Sequence, residues 1–494
     1  MRLLFVFVFL SSVAFGQNVY IPDANFKKYL VKNAKINTNR DSEIQLSEAK
    51  SYSGSIDCSN RSIQDLKGIE AFTTLTSLNC SLTRLASLDV SKNTALTSLN
   101  CSFIRLASLD VSKNTALTSL NCRATKLITS LDVSNNTTLT ELDCENSNLA
   151  SLDVSNNTAL TSLRCSNNNL TSLDVSKNIA LTTLYCGGNK FTSIDVSKNI
   201  ALTTLYCGSN KFTSLDVSKN TALTYFYCSH NYNLDTLDLS KNTALSILNC
   251  SSCNLTSLDV SKNTALTSLG CRSNNDLTSL DVSNNTKLKE LDCGSNQLTS
   301  LDVSKNTALT YFECSNNYNL DTLDLSKNTA LSRLYCSSCN LTSLDVSKNT
   351  ALTILGCRGN DHLTSLDISK NTALTRLNCS FTGLASLDVS KNTALTELNC
   401  ERTRLISLDV SNNTKLKELD CGSNQLTSLD VSKNTKLREL KCGYNKLTSL
   451  DVSKNTRLFK LQVRKNPLNC VTVAPKMPSR ILHNLKLFGI PICD

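Results

Sequence analysis

The chain has 494 residues, of which 40% are hydrophobic, and it carries a formal net charge of +10. Much of the positive charge comes from a Lys that recurs beside an Asp along the whole chain. Because these lysines are spread out rather than clustered, the composition argues against a nucleic-acid-binding patch. The sequence contains only three His residues, far apart, and no nucleophile, phosphate-loop or metal-ligand motif. We therefore predict that the protein is not an enzyme.

Residues 1–16 have the features of a secretory signal peptide. Arg2 gives a basic start, Leu3–Leu10 is apolar, and Ala14–Gly16 supplies small residues for cleavage before Gln17. No later stretch is long and apolar enough to span a bilayer. We therefore predict a secreted or cell-surface protein whose mature chain has no membrane span.

Residues 17–55 do not repeat and are predicted to form an N-terminal cap. Within Ala24–Lys32, Phe26, Tyr29 and Leu30 are spaced as on one face of a helix, and Asp23 is a suitable start signal. A repeat array needs such a cap because its terminal turn would otherwise expose apolar side chains and unpaired backbone.

The segment 37–48 within this cap has the spacing of a twelve-residue calcium loop. The segment departs from that pattern at two places. Asn stands at position 1, where Asp is usual, and Ser stands at the turn position that favours Gly. The candidate ligands are Asn37, Asn39, Asp41, Glu43 through its carbonyl, and Glu48. The pattern leaves open a weak calcium site or a degenerate structural loop; no other cofactor is predicted.

Residues 56–466 repeat one unit every 21 or 22 residues, and Leu160–Ala180 (LTSLRCSNNNLTSLDVSKNIA) is a typical copy. A unit this short is one turn of a coil that buries its apolar side only by stacking on its neighbours. The L-x-C part predicts a short strand, and S-L-D-V-S predicts a second extended segment on the opposite side. The fold class is therefore a solenoid of about twenty turns, mostly short parallel strands, with a helical N-terminal cap.

Cysteine is unusually common, with 23 residues. Nineteen share one inward repeat position, which Val463 fills in a later turn, so we predict a column of buried thiols rather than disulfides. Cys253 and Cys339 take the Asn position of the repeat. Residues 467–494 do not repeat and are predicted to cap the C-terminal end. They contain Cys470 and Cys493, which we predict to form a disulfide.

These units resemble leucine-rich repeats, in particular the bacterial class of about 21 residues written L-x-x-L-x-C-x-x-N-x-L-x-x-L-D-L-x-x-N-x-x. Ile21–Ala49 and the following Ile56–Asn60 are similar to the entry segment of exported leucine-rich repeat proteins of Bacteroidetes-type bacteria. The resemblance implies an α/β-type solenoid, a rod or horseshoe, that binds proteins or glycans outside the cell.

The outward positions beside the inward Cys vary freely, whereas S-L-D-V-S-K-N-T barely changes. A constant column of residues is explained by stacking, and a varied column is where a partner would be recognised. Aromatic residues favour such contacts, and the outward tyrosines are Tyr185, Tyr206, Tyr225, Tyr227, Tyr311 and Tyr335. We predict that they bind a protein or a surface glycan; the alternatives are cross-turn stacking of the tyrosines and a structural or adhesin-like rod without a ligand face.

Overall fold

The computed structural model describes residues 17–493. The predicted signal peptide at residues 1–16 lies outside the described residues. The chain divides into two compact units, one ending at Leu202 and the other beginning at Thr203.

The first unit contains two short helices, α1 (Ala24–Lys32) and α2 (Leu46–Ser51), followed by seven three-residue strands. These strands are β1 (Ser55–Asp57), β2 (Ser77–Asn79), β3 (Ser98–Asn100), β4 (Ser119–Asn121), β5 (Glu141–Asp143), β6 (Ser162–Arg164) and β7 (Thr183–Tyr185). Each strand pairs in parallel with the next strand along the chain, and equivalent repeat positions face each other. A one-turn 3₁₀ helix at Ile69–Ala71 connects β1 to β2.

The second unit continues the same pattern in a longer array. Its strands are β8 (Thr204–Tyr206), β9 (Tyr225–Tyr227), β10 (Ile247–Asn249), β11 (Ser268–Gly270), β12 (Glu290–Asp292), β13 (Tyr311–Glu313), β14 (Arg333–Tyr335), β15 (Ile354–Gly356), β16 (Arg376–Asn378), β17 (Glu397–Asn399), β18 (Glu418–Asp420), β19 (Glu439–Lys441), β20 (Ser449–Asp451), β21 (Lys460–Gln462) and β22 (Cys470–Thr472). Strands β8 to β19 and then β21 pair in parallel and in sequence order. The predicted solenoid of short parallel strands is confirmed.

The core of each turn is built by the inward Leu and Cys of its strand. In β6, Leu163 is fully buried between the partly exposed Ser162 and Arg164, and Cys165 directly after the strand is also fully buried. The period-two alternation therefore places Leu and Cys inside and the variable residues outside. All 21 thiols outside the terminal disulfide are buried and free.

Two columns of Asn side chains hold the corners of the turns. The Nδ2 of Asn178 donates to the carbonyls of Val154 and Asn157 in the preceding turn, at 2.9 Å each. At the other corner, the Nδ2 of Asn168 donates to Cys144 and Cys165. These bonds satisfy buried carbonyls that have no strand partner, which explains why Asn recurs at these positions.

The second extended segment predicted for each turn does not pair as a ladder of strands. Among the described residues, only the last copy of S-L-D forms a strand, β20, which pairs with β22 from the C-terminal segment. In the other copies the carbonyl of the last apolar residue accepts two hydrogen bonds. The Val90 carbonyl, for example, accepts the backbone N–H of Asn93 and the side-chain Nδ2 of Asn114 from the next turn. Apart from β20, these segments are therefore held by turn and corner bonds and not by strand pairing.

Helices lie at both ends of the repeats. At the N-terminal end, α1 has the predicted bounds, buries Phe26 and Leu30, and begins where the Asp23 carboxylate accepts two backbone N–H groups. At the C-terminal end, α3 (Ser479–Leu487) is followed by Cys493, which is joined by a disulfide to Cys470 with the Cα atoms 5.3 Å apart.

Candidate binding face

The outward side chains of the strands form a variable face in each unit. In every strand of the ladder the central residue is buried and its two neighbours lie on the opposite side. The six tyrosines singled out in the sequence all occupy these neighbouring positions, and each is partly or fully exposed. We define the outward residues of β1–β7 and of β8–β19 as the strand faces of the first and second units.

In the first unit, Tyr185 lies at the end of β7 beside a cation. The guanidinium carbon of Arg164, from the adjacent β6, is 4.1 Å from the centre of the Tyr185 ring. This distance is typical of a cation–π contact. The contact fixes the ring against its neighbour and leaves the tyrosine half-buried.

In the second unit, the tyrosines form two separate groups. Tyr206 and Tyr227, on adjacent strands, have ring centres 5.6 Å apart, and Tyr225 shares β9 with Tyr227 on the same side. In the other group, Tyr311 and Tyr335 are 5.9 Å apart. Three strands, β10 to β12, lie between the groups, so they are roughly 19 Å apart and would contact different parts of a ligand.

Tyr311 lies in the more enclosed of these groups. Burial raises the pKa of Tyr311 to about 12, with further contributions from the charges of Asp292 and Glu313. The Arg333 guanidinium lies 4.9 Å from the ring centre. At neutral pH this tyrosine therefore remains a neutral hydroxyl that can donate a hydrogen bond.

A charged groove follows the second tyrosine group, and it is not evident from the residue pattern of a single turn. Its volume is about 340 Å³, and it runs from Tyr335 along β15 to β19. Gly356 opens space beside the Tyr335 ring, since a Cβ there would lie 3.1 Å from that ring. Its charged lining residues are Arg376, Glu397, Glu418, Asp420, Glu439 and Lys441.

Two ion pairs connect neighbouring strands in this groove. Arg376 lies 3.1 Å from Glu397, and Lys441 lies 3.1 Å from Asp420. Such partly exposed pairs contribute about 0–1 kcal/mol each to stability. Arg376 and Glu397 stand before the inward Leu of their strands, whereas Asp420 and Lys441 stand after it, and both positions vary from turn to turn.

The candidate calcium loop is closed by hydrogen bonds within the protein. The Glu48 carboxylate accepts the backbone N–H groups of Thr38, Asn39 and Gln45. Burial alone would raise the pKa of Glu48, but these bonds outweigh it and hold the pKa below its usual value. The same carboxylate that would bind a cation therefore already connects the start and end of the loop.

The other predicted ligands of this loop also have specific partners. Asn39 donates to Asp41, and the Asn37 side chain donates to the Asp41 carbonyl. For Glu43 the predicted ligand is the backbone carbonyl, while its carboxylate lies 2.6 Å from the Lys27 ammonium. The Oδ1 of Asn37 is buried without a hydrogen-bond partner. Within residues 17–493, no group of three or more His, Cys, Asp or Glu side chains is arranged to hold a metal ion.

The thiols of the inward Cys column are poorly suited to nucleophilic chemistry. Burial is the main cause that raises the pKa of Cys122 and of Cys186 to about 12. Since the thiolate is the reactive form, these side chains stay protonated and inert in the folded state. The described residues also include no helix of the length and hydropathy needed to cross a membrane.

The comparisons with known proteins agree with this architecture. Residues 35–178 match the family of the leucine-rich repeat domain of the endo-beta-N-acetylglucosaminidase EndoS, and residues 414–455 match a family of two leucine-rich repeats. The functional domain of InlJ from Listeria monocytogenes, which includes a cysteine ladder, is 34% identical. That likeness covers 88% of this chain and 82% of the InlJ chain, with a TM-score of 0.52. The chain therefore belongs to the leucine-rich repeat family.

Two more distant structures share the fold alone. YopM from Yersinia enterocolitica is 21% identical over 87% of this chain and 91% of its own, with a TM-score of 0.61. The ectodomain of the receptor kinase GASSHO1/SCHENGEN3 from Arabidopsis thaliana, in complex with CASPARIAN STRIP INTEGRITY FACTOR 2, is 20% identical with a TM-score of 0.57. That likeness covers 87% of this chain and 63% of the receptor chain. No curated protein sequence matches the chain.

Proposed function

We propose that this is an exported, non-catalytic leucine-rich repeat protein that binds a partner protein through the strand face of its second unit. A surface glycan is the alternative ligand. Domains of this family typically mediate protein–protein interactions and are generally not enzymes. Export and the partner class are inferences from residues 1–16 and from the varied face.

One observation carries the proposal: variation and exposure coincide on the strand face. The Asn of S-K-N-T is buried and nearly constant, as at Asn306 and Asn328, and its role is structural. The outward residues of the strands tolerate Tyr, Arg, Glu, Ile, Asn and Gly in successive turns of the second unit. Packing does not require that diversity, whereas recognition of a partner would select it.

Contacts available on this face suit a protein ligand. Tyr206 and Tyr225 are 36% and 44% exposed, so their rings offer apolar area and their hydroxyls offer hydrogen bonds. The groove from Tyr335 to Lys441 adds paired charges of both signs. A partner would satisfy these groups through aromatic anchors surrounded by polar contacts, as protein interfaces commonly do.

The proposal is tested by a binding screen of the mature chain against extracellular proteins and a glycan array. Two double variants, Tyr206→Ala with Tyr227→Ala and Tyr311→Ala with Tyr335→Ala, remove one tyrosine group each. For a ligand of this face, at least one double variant should weaken binding about tenfold or more, equivalent to about 1.4 kcal/mol. Tyr444→Ala is the matched control, because Tyr444 is 47% exposed but lies in a turn outside the strand face.

Unchanged binding by both double variants would rule out the tyrosine face. The ring contacts at 5.6 and 5.9 Å then support the rival interpretation, that the tyrosines only stack between turns. Under that interpretation the double variants lower the thermal stability, and a structural rod would respond to deletion of turns but not to substitutions on its face.

Calcium binding by the N-terminal loop remains a separate prediction with its own test. The unpartnered Oδ1 of Asn37 supports a ligand there, whereas the filled Glu48 carboxylate supports a purely structural loop. Calcium titration followed by thermal unfolding compares the mature chain with Glu48→Gln. A calcium-dependent rise in Tm that the variant lacks would establish the site; no rise in either protein would assign the loop a structural role.

A further inference from the structure

A second exposed surface lies outside the strand faces, at the turns that follow β2 and β3 in the first unit. Leu82 and Phe103 take the same repeat position in successive turns and are 54% and 52% exposed. The Leu82 N–H donates to the Ser102 carbonyl at 3.1 Å, directly before Phe103. The two apolar side chains therefore lie on neighbouring turns at a point open to solvent.

The backbone at these two positions does not favour their side chains. Both residues have φ of 57°, in the left-handed region. Most other turns of the first unit place Asn or Gly there, as at Asn60, Asn146 and Gly188, which are residue types that tolerate this conformation, and one turn places Ala124 there. Neither burial nor backbone preference favours Leu and Phe here, and two exposed apolar side chains on neighbouring turns are typical of a protein contact surface.

Cations flank the apolar pair. Arg84 and Arg105 each stand two residues after the apolar position and are exposed, with buried Thr83 and Ile104 between them. Among residues 17–493, neither arginine forms an ion pair. The two turns thus present Leu, Arg, Phe and Arg as a small apolar and basic ridge, which we name the edge ridge.

A basic cavity adjoins the edge ridge on the side of the N-terminal cap. It has a volume of about 660 Å³ between α1 and the turn after β1, and its lining includes Lys28, Lys32 and Arg61. The Arg61 guanidinium lies 4.8 Å from the centre of the Tyr29 ring. The neighbouring turn is the one that carries Leu82, because the Asn60 N–H donates to the carbonyl of Ser81.

Acidic groups near this surface do not cancel its charge. Asp57 lies close enough that Arg61 contributes to lowering its pKa, although hydrogen bonding to Ser59 is the larger cause. Lys28, Lys32, Arg84 and Arg105 have no described carboxylate as an ion-pair partner. The cavity and the edge ridge together therefore carry an excess of positive charge beside exposed apolar area.

We propose that the edge ridge and the adjoining cavity dock an acidic segment of a partner protein that also carries apolar side chains. Acidic residues of the partner would pair with Arg84, Arg105 and the lysines of the cavity, because their charges are complementary. Leu82 and Phe103 distinguish an acidic peptide from a sulfated glycan, since that uniform polyanion has few apolar groups to cover them. This surface is separate from the tyrosine face, so either proposal can fail alone.

The test is selection of random displayed peptides of about 12 residues on the full mature chain. Counter-selection uses a variant with Leu82→Asn, Phe103→Asn, Arg84→Gln and Arg105→Gln. We expect enriched peptides that combine Asp or Glu with Leu, Ile or Phe. Their binding should weaken about tenfold or more with Leu82→Asn and Phe103→Asn alone, and similarly with the two arginine changes alone.

The asparagine variants should fold, because other turns of this unit carry Asn at the same position with the same backbone conformation. Phe381→Asn is the matched control: Phe381 has φ of 55° in the second unit and should leave peptide binding unchanged. Tyr206→Ala with Tyr227→Ala should also leave it unchanged. The proposal would be overturned if no peptides that combine acidic and apolar residues are selected. It would also be overturned if the chain binds heparin but no such peptide, and if Leu82→Asn with Phe103→Asn leaves the heparin binding unchanged.

Discussion

Asp292 and Glu313 are the last residues of the adjacent parallel strands β12 and β13, and they face each other in register. Glu313 is only 7% exposed, and its Oε1 accepts the Ser315 N–H at 2.8 Å. Burial is the main cause that raises the pKa of both carboxyls, and the charge of Asp292 raises the pKa of Glu313 as a lesser effect. The variable face thus holds two carboxylates whose ionisation opposes folding.

Replacing Glu313 by Gln should therefore stabilise the protein at neutral pH. A carboxyl whose pKa is raised in the folded state binds more protons there than in the unfolded chain, so its unfavourable effect appears as the pH rises above about 4.5. Thermal unfolding of Glu313→Gln should give a higher Tm than the natural chain at about pH 7. The difference should disappear as the pH falls to about 4.

Asp302→Asn provides the contrasting control in the same unit. The backbone N–H of Ser304 is the first cause that lowers the pKa of Asp302, so its carboxylate favours folding above about pH 4. This variant should have a lower Tm than the natural chain at neutral pH, and the loss should vanish in acid. Equal pH profiles for the two variants would contradict the assignment of opposite shifts.

The Asn corner column should tolerate Cys better than an apolar residue. The Nδ2 of Asn296 donates to the carbonyls of Cys271 and Cys293. At the same repeat position, the Cys339 thiol donates to the Cys314 carbonyl at 3.1 Å. Asn296→Leu should lower the free energy of unfolding by about 1–3 kcal/mol, because the Cys271 and Cys293 carbonyls each lose one of two Asn donors and the Asn274 N–H loses its acceptor. Asn296→Cys should cost about half as much, measured by denaturant unfolding; equal costs would contradict a hydrogen-bonding role.

Thiol reactivity measures the buried cysteines directly. The structure holds 21 free buried thiols and one disulfide. A thiol-specific reagent should therefore label almost none in the native protein and 21 after unfolding in guanidinium chloride. Rapid labelling of many thiols before unfolding, or a count far below 21 afterwards, would refute the column of buried free cysteines.

The inward Cys position should accept an apolar side chain and reject a hydroxyl. Val463 already fills this position in a later turn with 3% exposure. Cys271→Ser should lower the free energy of unfolding by about 1–3 kcal/mol, because the fully buried site offers an apolar environment to the hydroxyl. Cys271→Val should cost less, and denaturant unfolding of both variants compares them. A Ser variant as stable as the Val variant would show that the thiol acts through hydrogen bonding.

Much of the fold followed from residue patterns. Helix α1 was predicted at its observed bounds, since Asp23 and the spacing of Phe26 and Leu30 are local signals. The S-L-D-V-S segment has the alternation of a strand, with Leu and Val buried, but among the described residues only its last copy pairs as one. Strand β20 forms only because the C-terminal segment supplies β22 as a partner.

The candidate surfaces were predicted in part. Outward tyrosines such as Tyr206 were visible in the sequence because the period-two alternation fixes which side chains leave the core. The groove beside Tyr335 was missed, because it depends on Gly356 in the next strand and on ion pairs between turns. The edge ridge was also missed, since Leu82 and Phe103 are residues that local preference does not place at a positive φ.

The sequence by itself determined that identical turns stack, that Leu and Cys point inward, and that Asn holds the corners. Those features recur because each turn must bury the same apolar positions and satisfy the same carbonyls. Only the tertiary structure decided which outward side chains meet, as Asp292 meets Glu313 and Leu82 lies beside the turn of Phe103. The pattern within one turn sets the direction of each side chain, whereas contacts between turns depend on register, side-chain conformation and the backbone of the connecting segments.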